Sequence, residues 1–225
     1  MAVVEMSPIF VNPHIRHAIL VEPTRVVSRY LREKTAPEQP IARELGGYAA
    51  YFSTDLPFAV DLGVGWVKHQ ALILVPPYRR HRVQRCHGLR TILIEPESVC
   101  PTALTDPCWT PGTAAYARWV ARIEAGFGAW ERLGMVPNRS VDELVFGRDL
   151  PRRRLDQRIA EAVRMLSQQP SEPNSRVPAL AAVAGLSPSR LSHLFREEIG
   201  TSIRRFRAWK RIRNAMQLAA GEPIL

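Results

Sequence analysis

Short apolar runs dominate the first part of the chain, between Val21 and Glu95. They are ILVEP, TRVVSRYL, YAAYFS, PFAVDLG, GWVKHQALILV, HRVQRC and RTILIEP. The runs are rich in β-branched and aromatic residues, and Gly, Pro and charged residues separate them. Runs of this length between turn residues are typical of the strands of a sandwich or barrel. The N-terminal part is therefore predicted to be all-β.

From Thr113 onward the apolar residues recur every three or four positions, which is the spacing of amphipathic helices. The segment 113–133 would carry one apolar stripe: Tyr116, Trp119, Val120, Ile123 and Phe127. An apolar stripe of this kind is typical of a helix that covers another layer of the fold. Another helix is predicted over 155–166. The predicted fold class is thus multidomain, with an all-β part followed by an all-α part.

The stretch from Pro178 to Gly200 predicts two short helices joined by a tight turn. Gly185 provides the turn, Ser187 is placed to cap the second helix, and Pro188 occupies its first position, where no backbone N–H is needed. Small and apolar residues at fixed offsets would lock the two helices together: Ala181, Gly185, Leu191 and Leu194. This pattern is a helix-turn-helix signature, and an ordinary helix pair in an all-α core is the alternative.

At about 100° per residue, the second helix separates into an apolar and a polar side. Leu191, Leu194, Phe195 and Glu198 share the packing side. The opposite side contains Ser189, Ser192, His193 and Arg196, and Arg190 lies on its flank. A short polar and basic face suits a helix that enters the major groove of DNA.

A longer helix is predicted after Thr201 or Ser202, either of which could cap it. Its buried side is predicted to contain Ile203, Phe206, Ile212, Met216 and Ala219. Its other faces carry six cations: Arg204, Arg205, Arg207, Lys210, Arg211 and Arg213.

Positive charge is concentrated in the same part of the chain. Residues 151–225 contain 14 Lys and Arg against 6 Asp and Glu, a net charge of +8, whereas the whole chain has +10. A basic C-terminal part favours attraction to phosphates, and a solvated basic face is the alternative. The three cysteines lack CxxC spacing, so the sequence predicts neither a disulfide framework nor a structural zinc site.

The run LSPSRLSHLFREEIGTSIRRFRAWKRIRNAMQLAAGEP resembles the DNA-binding domain of AraC/XylS-type transcription regulators. The resemblance implies base contacts by Ser189, Ser192 and His193. It also implies contacts to phosphates or flanking positions: Arg190, Arg196, Arg204 and Arg205. The family has a second helix-turn-helix, expected after Pro223, so the printed sequence is expected to lack that unit and to bind DNA weakly.

The runs ALILVPPYRRHRVQ and TILIEPES are similar to the cupin-like barrel that precedes the DNA-binding domain in many of these regulators. This looser resemblance implies a barrel that binds an effector or pairs two chains. It also implies helices over 113–133 that pack on the barrel and can mediate pairing, so two roles stay open for the stripe, covering the β part or pairing two copies of the chain. Trp66 and His69, on a strand pattern, and His81, near a cupin motif, are the candidate pocket residues. The family's His-x-His pair is absent, so no metal is predicted. A chance site formed by His69, His81, His87 and Glu95 is the alternative.

These observations predict a cupin-like sensing and pairing barrel over 14–112, packing helices over 113–147 and the helix-turn-helix domain over 148–225. The predicted function is a DNA-binding transcription regulator controlled by a small-molecule effector, without enzymatic activity or cofactor. The predicted partners are DNA, the effector, a second copy of the chain and RNA polymerase. A signal peptide and a long apolar run are not found, which predicts a cytoplasmic protein. Two alternatives stay open: a metal-dependent cupin enzyme with an accessory helical domain, and a pairing module without specific DNA binding.

Overall fold

The computed structural model describes residues 9–12, 15–21, 25–32, 40, 42–54, 57–69, 71–84, 88–104, 112–133 and 140–221. Its strands are Ile9–Asn12 (β1), Ile15–Val21 (β2), Arg25–Arg32 (β3), Tyr48–Phe52 (β4), Phe58–Asp61 (β5), Trp66–His69 (β6), Leu72–Val75 (β7), Arg82–Gln84 (β8) and Arg90–Ile94 (β9). Its helices are Ala114–Leu133 (α1), Val141–Phe146 (α2), Gln157–Gln168 (α3), Val177–Val183 (α4), Pro188–Ile199 (α5) and Ile203–Gly221 (α6). The chain is thus an all-β part followed by an all-α part, as the sequence predicts.

The strands form two antiparallel sheets, and we refer to residues 9–104 as the β region. One sheet has the order β1-β2-β3-β9-β4-β7, and the other has the order β6-β5-β8. Strand β9 pairs with both β3 and β4, so it lies in the interior of the larger sheet. The run GWVKHQALILV, predicted as one strand pattern, is divided between the sheets because β6 pairs with β5 and β7 pairs with β4.

Strand β4 explains how the larger sheet has two apolar faces. Ala49 and Tyr51 belong to a cluster that also contains Phe58, Val60 and Val83 from the smaller sheet, so this cluster lies between the sheets. Ala50 and Phe52 belong to a second cluster. Because successive side chains of a strand point to opposite faces, a strand without polar residues must be covered on both sides.

Helices α1 and α2 cover the second face of the larger sheet. The α1 stripe is buried as predicted: Trp119, Ile123 and Phe127 are fully buried, and Tyr116 and Val120 pack against the same cluster. The Trp119 indole N–H donates to the carbonyl oxygen of Val145 over 3.1 Å. The stripe therefore covers the β region of its own chain, which decides between the two roles left open for it.

Helices α3 to α6 surround a third apolar core in the C-terminal helical region, residues 151–221. The fully buried members include Ile159, Leu166, Leu180, Leu191 and Phe195. The Phe195 and Phe206 rings meet edge to face with their centroids 5.4 Å apart, which joins α5 to α6. Asp156 accepts from the backbone N–H of Arg158 and begins α3 two residues later than the sequence predicts.

The turn between α4 and α5 has the predicted chemistry. Gly185 has φ +62°, a left-handed conformation that costs glycine little. The Ser187 hydroxyl accepts from the N–H of Arg190 over 3.2 Å, and Pro188 is the first residue of α5. Gly200, at φ +85°, ends α5. The predictions for this cap and this turn are confirmed, and the resulting helix pair presents one side of α5 to solvent.

Candidate nucleic-acid interface and its contact with the β region

The polar side of α5 is exposed along its length. Ser189, Ser192, His193 and Arg196 are all exposed, as is Arg190 on the flank. Leu191 and Phe195 on the opposite side have no exposed surface, so the two sides are separated as the helical spacing predicts. The Ser192 hydroxyl donates to the carbonyl oxygen of Pro188 over 2.8 Å, which fixes its direction near the start of the helix.

The rest of the helical region holds α5 rigidly. The C-terminal turn of α5 is tied to the chain before α3 by two hydrogen bonds to Glu198. The Glu198 carboxylate accepts from the N–H of Asp156 over 3.3 Å, and the backbone carbonyl oxygen of Glu198 accepts from the Arg153 guanidinium. A rigid helix with an exposed polar face is the arrangement that major-groove contacts require.

Helix α6 divides its basic residues between solvent and the protein interior. Arg204 and Arg205 are exposed in the first turn, where the Ser202 hydroxyl caps the helix by accepting from the N–H of Arg205. Lys210 and Arg213 are buried, with exposures of 5% and 3%. The sequence had placed both among the outward-facing cations.

The predicted buried side of α6 is partly wrong. Ile203 and Phe206 are buried in the helical core, and Met216 packs against the β region, but Ile212 is 50% exposed. Trp209 is buried instead, within the cluster between the two sheets. The prediction assumed one packing partner, whereas α6 passes from the helical core to the β region and changes its buried side on the way. Ala219 lies outside the residues whose side chains are described.

Glu95, which directly follows β9, receives three donors from α6. The Trp209 indole N–H donates to its Oε2 over 2.9 Å, and the Lys210 ammonium to the same oxygen over 2.6 Å. The Arg213 guanidinium donates to Oε1. Glu95 is 2% exposed, and a carboxylate so deeply buried needs partners of opposite charge. The three donors supply them.

Glu97 extends this ion-pair group, because its Oε1 also accepts from the Lys210 ammonium. Burial raises the pKa of the Glu97 carboxyl, and Lys210 opposes that rise. The group thus pairs two carboxylates of the β region with two cations of α6. It fixes α6 to the β region by charge as well as by the indole ring.

Arg205 connects α6 to the β region at the surface. Its guanidinium donates to the Glu44 carboxylate over 2.7 Å and lies 5.0 Å from the centre of the Tyr78 ring. Burial raises the pKa of the Tyr78 phenol to about 12, so the ring stays neutral beneath the cation. A residue predicted to bind phosphate is therefore held by a carboxylate of its own chain.

Two of the three predicted effector residues, Trp66 and His81, have different environments among the side chains that the structure describes. Trp66 is 43% exposed, and the Arg82 guanidinium lies 5.2 Å from the centre of its ring. The structure therefore places Trp66 outside the space between the sheets, since β6 is an edge strand that turns this side chain outward. His69 pairs with Phe58 in the register of β6 and β5, and its side chain lies outside the described residues.

His81 is buried, with both ring nitrogens within hydrogen-bond distance of a partner. Nε2 lies 2.7 Å from the Tyr51 hydroxyl, and Nδ1 lies 2.7 Å from the carbonyl oxygen of Arg79. Burial lowers the pKa of the imidazole. His81 thus has the contacts of a structural histidine in this chain.

The alternative of a metal site in the β region receives no support from the geometry. Among the described residues, no group of three or more His, Cys, Asp or Glu side chains could hold a metal ion. Glu95 is bound by α6, His81 by Tyr51 and Arg79, and His87 lies outside the described residues. Nor is any helix in the described ranges long and apolar enough to cross a membrane.

Two polar cavities lie next to these contacts. One of about 630 Å³ lies where the β region meets α2 and the start of the helical region, and its lining includes Arg25, Glu97, Asp142 and Arg153. Arg25 donates twice to Asp142, at 2.7 Å each, across this junction. The other cavity, of about 650 Å³, has a lining that includes Asp61, Arg79, His81 and Arg82, so one of the predicted effector residues borders a cavity.

Comparison with known proteins gives one short sequence match. No protein-family profile matches the chain. A segment of 64 residues is 39% identical to the arabinose operon regulatory protein of Escherichia coli (strain K12). It makes up 28% of this chain and 22% of that protein, so the match spans about a fifth of the relative's length.

Similar solved structures align with about two fifths of the chain. KdgF from Halomonas sp. is 12% identical with a TM-score of 0.31, over 39% of this chain and 86% of that one. An RmlC-like cupin from Shewanella frigidimarina is 12% identical with a TM-score of 0.32, over 42% of this chain and 86% of that one. At such TM-scores, these structures add nothing to what the strand order and the apolar cores of the β region show.

Proposed function

We propose that this protein is a DNA-binding regulator of transcription whose helix α5 enters the major groove. The observation that supports it most is the exposed polar side of α5 on a rigid helical core. The partial identity to the arabinose operon regulatory protein is consistent with this proposal. We propose that Ser189, Ser192 and His193 of this chain approach base edges. Phosphates are contacted by Arg190, Arg196, Arg204 and Arg205.

The β region is proposed to bind a small-molecule effector and to pair two copies of the chain in the cytoplasm, with RNA polymerase as a further partner. With the α1 stripe covered, the surface that supports pairing is the edge strand β6, where Trp66 and Val67 are 43% and 50% exposed. Edge strands with exposed apolar residues favour association with another chain. Size measurement in solution, with Val67→Lys as the variant, should give a dimer for the chain and a monomer for the variant. The proposal includes no catalytic step.

Selection of DNA sites from a random library tests the assignment of base and phosphate contacts. His193→Ala should change the preferred base at one position, because it removes a side chain proposed to contact a base edge. Arg204→Ala should weaken binding to all sequences alike and reduce the slope of log affinity against log salt by roughly one. Arg118→Ala is the matched control, since it removes one exposed arginine from α1, away from the helical region and from the edge strand β6.

Two outcomes would contradict the proposal. One is a His193→Ala variant that selects the same bases with the same frequencies as the unchanged chain. The other is an Arg204→Ala variant that binds DNA no more weakly than Arg118→Ala.

A further inference from the structure

The indole of Trp209 occupies a seat that only glycine leaves open. A Cβ added at Gly46 would lie 2.4 Å from Cγ of the Trp209 ring. One at Gly47 would lie 2.7 Å from the backbone carbonyl oxygen of Ile94 and 3.1 Å from Cζ2 of the ring. Real Cβ atoms essentially never approach other heavy atoms as closely as at Gly46. The φ angle of Gly46 is not positive, so its backbone does not require glycine. The space that glycine leaves there serves the ring.

The rest of the seat is apolar and belongs to the β region. The cluster that contains Trp209 includes Ala49, Tyr51, Ile73, Val75 and Leu93 from the larger sheet and Phe58, Val60 and Val83 from the smaller one. Trp209 is 3% exposed there. A flat aromatic ring from α6 is thus packed into the apolar cluster between the two sheets.

The rim of the seat carries two carboxylates, Glu95 and Glu97, and the guanidinium of Arg213, which donates to the Oε1 of Glu95. Glu95 binds the indole N–H and the Lys210 ammonium, and Glu97 binds the same ammonium. The other oxygen of Glu97, Oε2, is buried and accepts no hydrogen bond from the described part of the chain. The Oε2 of Glu97 can therefore accept one more hydrogen bond at this rim.

We propose that this seat is a binding site for a flat apolar ring that carries a protonated amine. In this chain the site is filled from within: the Trp209 indole takes the place of the ligand's ring, and the Lys210 ammonium takes the place of its amine. The ring would replace the indole above Gly46 and Gly47, and the ammonium would replace that of Lys210 between Glu95 and Glu97. Arg213 stays paired with the Oε1 of Glu95, so an aromatic carboxylate would add a third carboxylate to a rim with one remaining cation and should bind more weakly than the amine.

The regulatory consequence rests on the proposed function, whereas binding of the amine does not. A ligand that takes the seat separates α6 from the β region, because both cannot occupy it. Separation would also release Arg205 from Glu44, and the released arginine could then contact phosphate. Binding of an aromatic amine would thus raise the affinity of the chain for DNA.

The variant Trp209→Ala/Lys210→Ala tests the site, because it empties both the ring position and the ammonium position. Tryptamine, an indole with an ethylammonium group, should bind this variant and raise its melting temperature. Indole should bind about tenfold or more weakly, the factor that one hydrogen bond to a charged group contributes. Indole-3-acetate should bind more weakly still. Calorimetry of the three probes, without DNA, gives the order.

Trp66→Ala is the matched control, since it also removes a tryptophan from the chain but one that is exposed. It should gain no affinity for tryptamine. Equal binding of tryptamine and indole-3-acetate to the double variant, or no binding by either, would overturn the proposal.

Where circular dichroism finds the double variant unfolded, the unchanged chain provides a second test. Saturating tryptamine should speed hydrogen–deuterium exchange in α6 without affecting α3, and an unaffected α6 would likewise overturn the proposal. Because no readout here uses DNA, failure of this site and failure of DNA binding are distinguishable.

Discussion

Helices α5 and α6 follow each other in the chain and both carry basic residues, yet their cations have different environments. Arg190 and Arg196 of α5 are exposed, whereas Lys210 and Arg213 of α6 are buried. The difference lies in what each helix packs against. Helix α5 packs on apolar helices, and α6 reaches two carboxylates at the end of a β-strand. A positive charge in a sequence thus predicts an anionic partner without telling whether that partner is DNA or the same chain.

The largest expected effect comes from Glu95→Gln, which removes the charge that balances Lys210 and Arg213. Leaving buried cations without their carboxylate should lower the free energy of unfolding by about 3 to 5 kcal/mol. Urea denaturation measures it. Glu161→Gln is the control, because Glu161 also binds an arginine, Arg164, but at the surface of α3. The free energy of unfolding of Glu161→Gln should hardly differ from that of the unchanged chain. If both variants lost a similar free energy of unfolding, the buried pairs would be no more important to stability than the exposed one.

Gly46→Ala should lower the free energy of unfolding by about 1 to 3 kcal/mol, the usual cost of an overfilled core. The colliding atoms, Cβ and Cγ of Trp209, lie at the root of the side chain and cannot move without α6. In a Trp209→Ala background the same substitution should cost nothing, and a double-mutant cycle gives the coupling. An unchanged cost in that background would mean that Gly46 serves the backbone rather than the ring.

Glu44→Gln should leave one more cation of α6 available to DNA, because it removes the carboxylate that pairs with Arg205. The Arg205–Glu44 pair is largely exposed, so stability should change little, but DNA affinity at low salt should rise a few-fold. Glu172→Gln, in the exposed loop before α4, controls for the change in net charge. Equal gains in both variants would show that Glu44 acts on DNA binding only through net charge.

The smallest effect concerns pH. The pKa of Glu97 is raised in the folded protein above its ordinary value of 4.5. A raised pKa contributes stability that is fully present below 4.5 and lost as the pH rises through the folded value. Glu97→Gln removes the ionisable group. Between pH 4.5 and the raised pKa of Glu97, the free energy of unfolding of this variant should therefore fall less than that of the unchanged chain. Parallel curves for the two proteins would contradict the raised pKa.

Local sequence patterns were sufficient for the elements that depend on neighbouring residues. The Ser187 cap, the Gly185 turn and the α1 stripe are each specified within a few positions, and the structure contains all three. The exposed side of α5 follows from helical spacing, and what it binds stays a prediction.

The seat of Trp209 was beyond such patterns. Glu95 and Lys210 are 115 positions apart, so their pairing depends on how two regions of the chain pack. One signal was available: Phe206, Trp209, Lys210, Arg213 and Met216 follow helical spacing and form a stripe with two cations. Trp66 was mispredicted for a different reason. Trp66 and Val67 point to opposite faces of β6 yet both are exposed, because β6 is an edge strand, and alternation along a strand does not tell its place in the sheet.

The separation of Glu95 from Trp209 also orders events during synthesis. The two residues lie 114 positions apart, and chains grow at roughly 5 to 20 residues per second, so the ribosome adds Trp209 roughly 6 to 23 seconds after Glu95. During that interval the nascent sheets have an open apolar seat and two carboxylates without their cations. The β region therefore completes its packing only after the last helix has emerged. The last step in the packing of the β region thus depends on when α6 is translated rather than on how fast the strands of the β region pair.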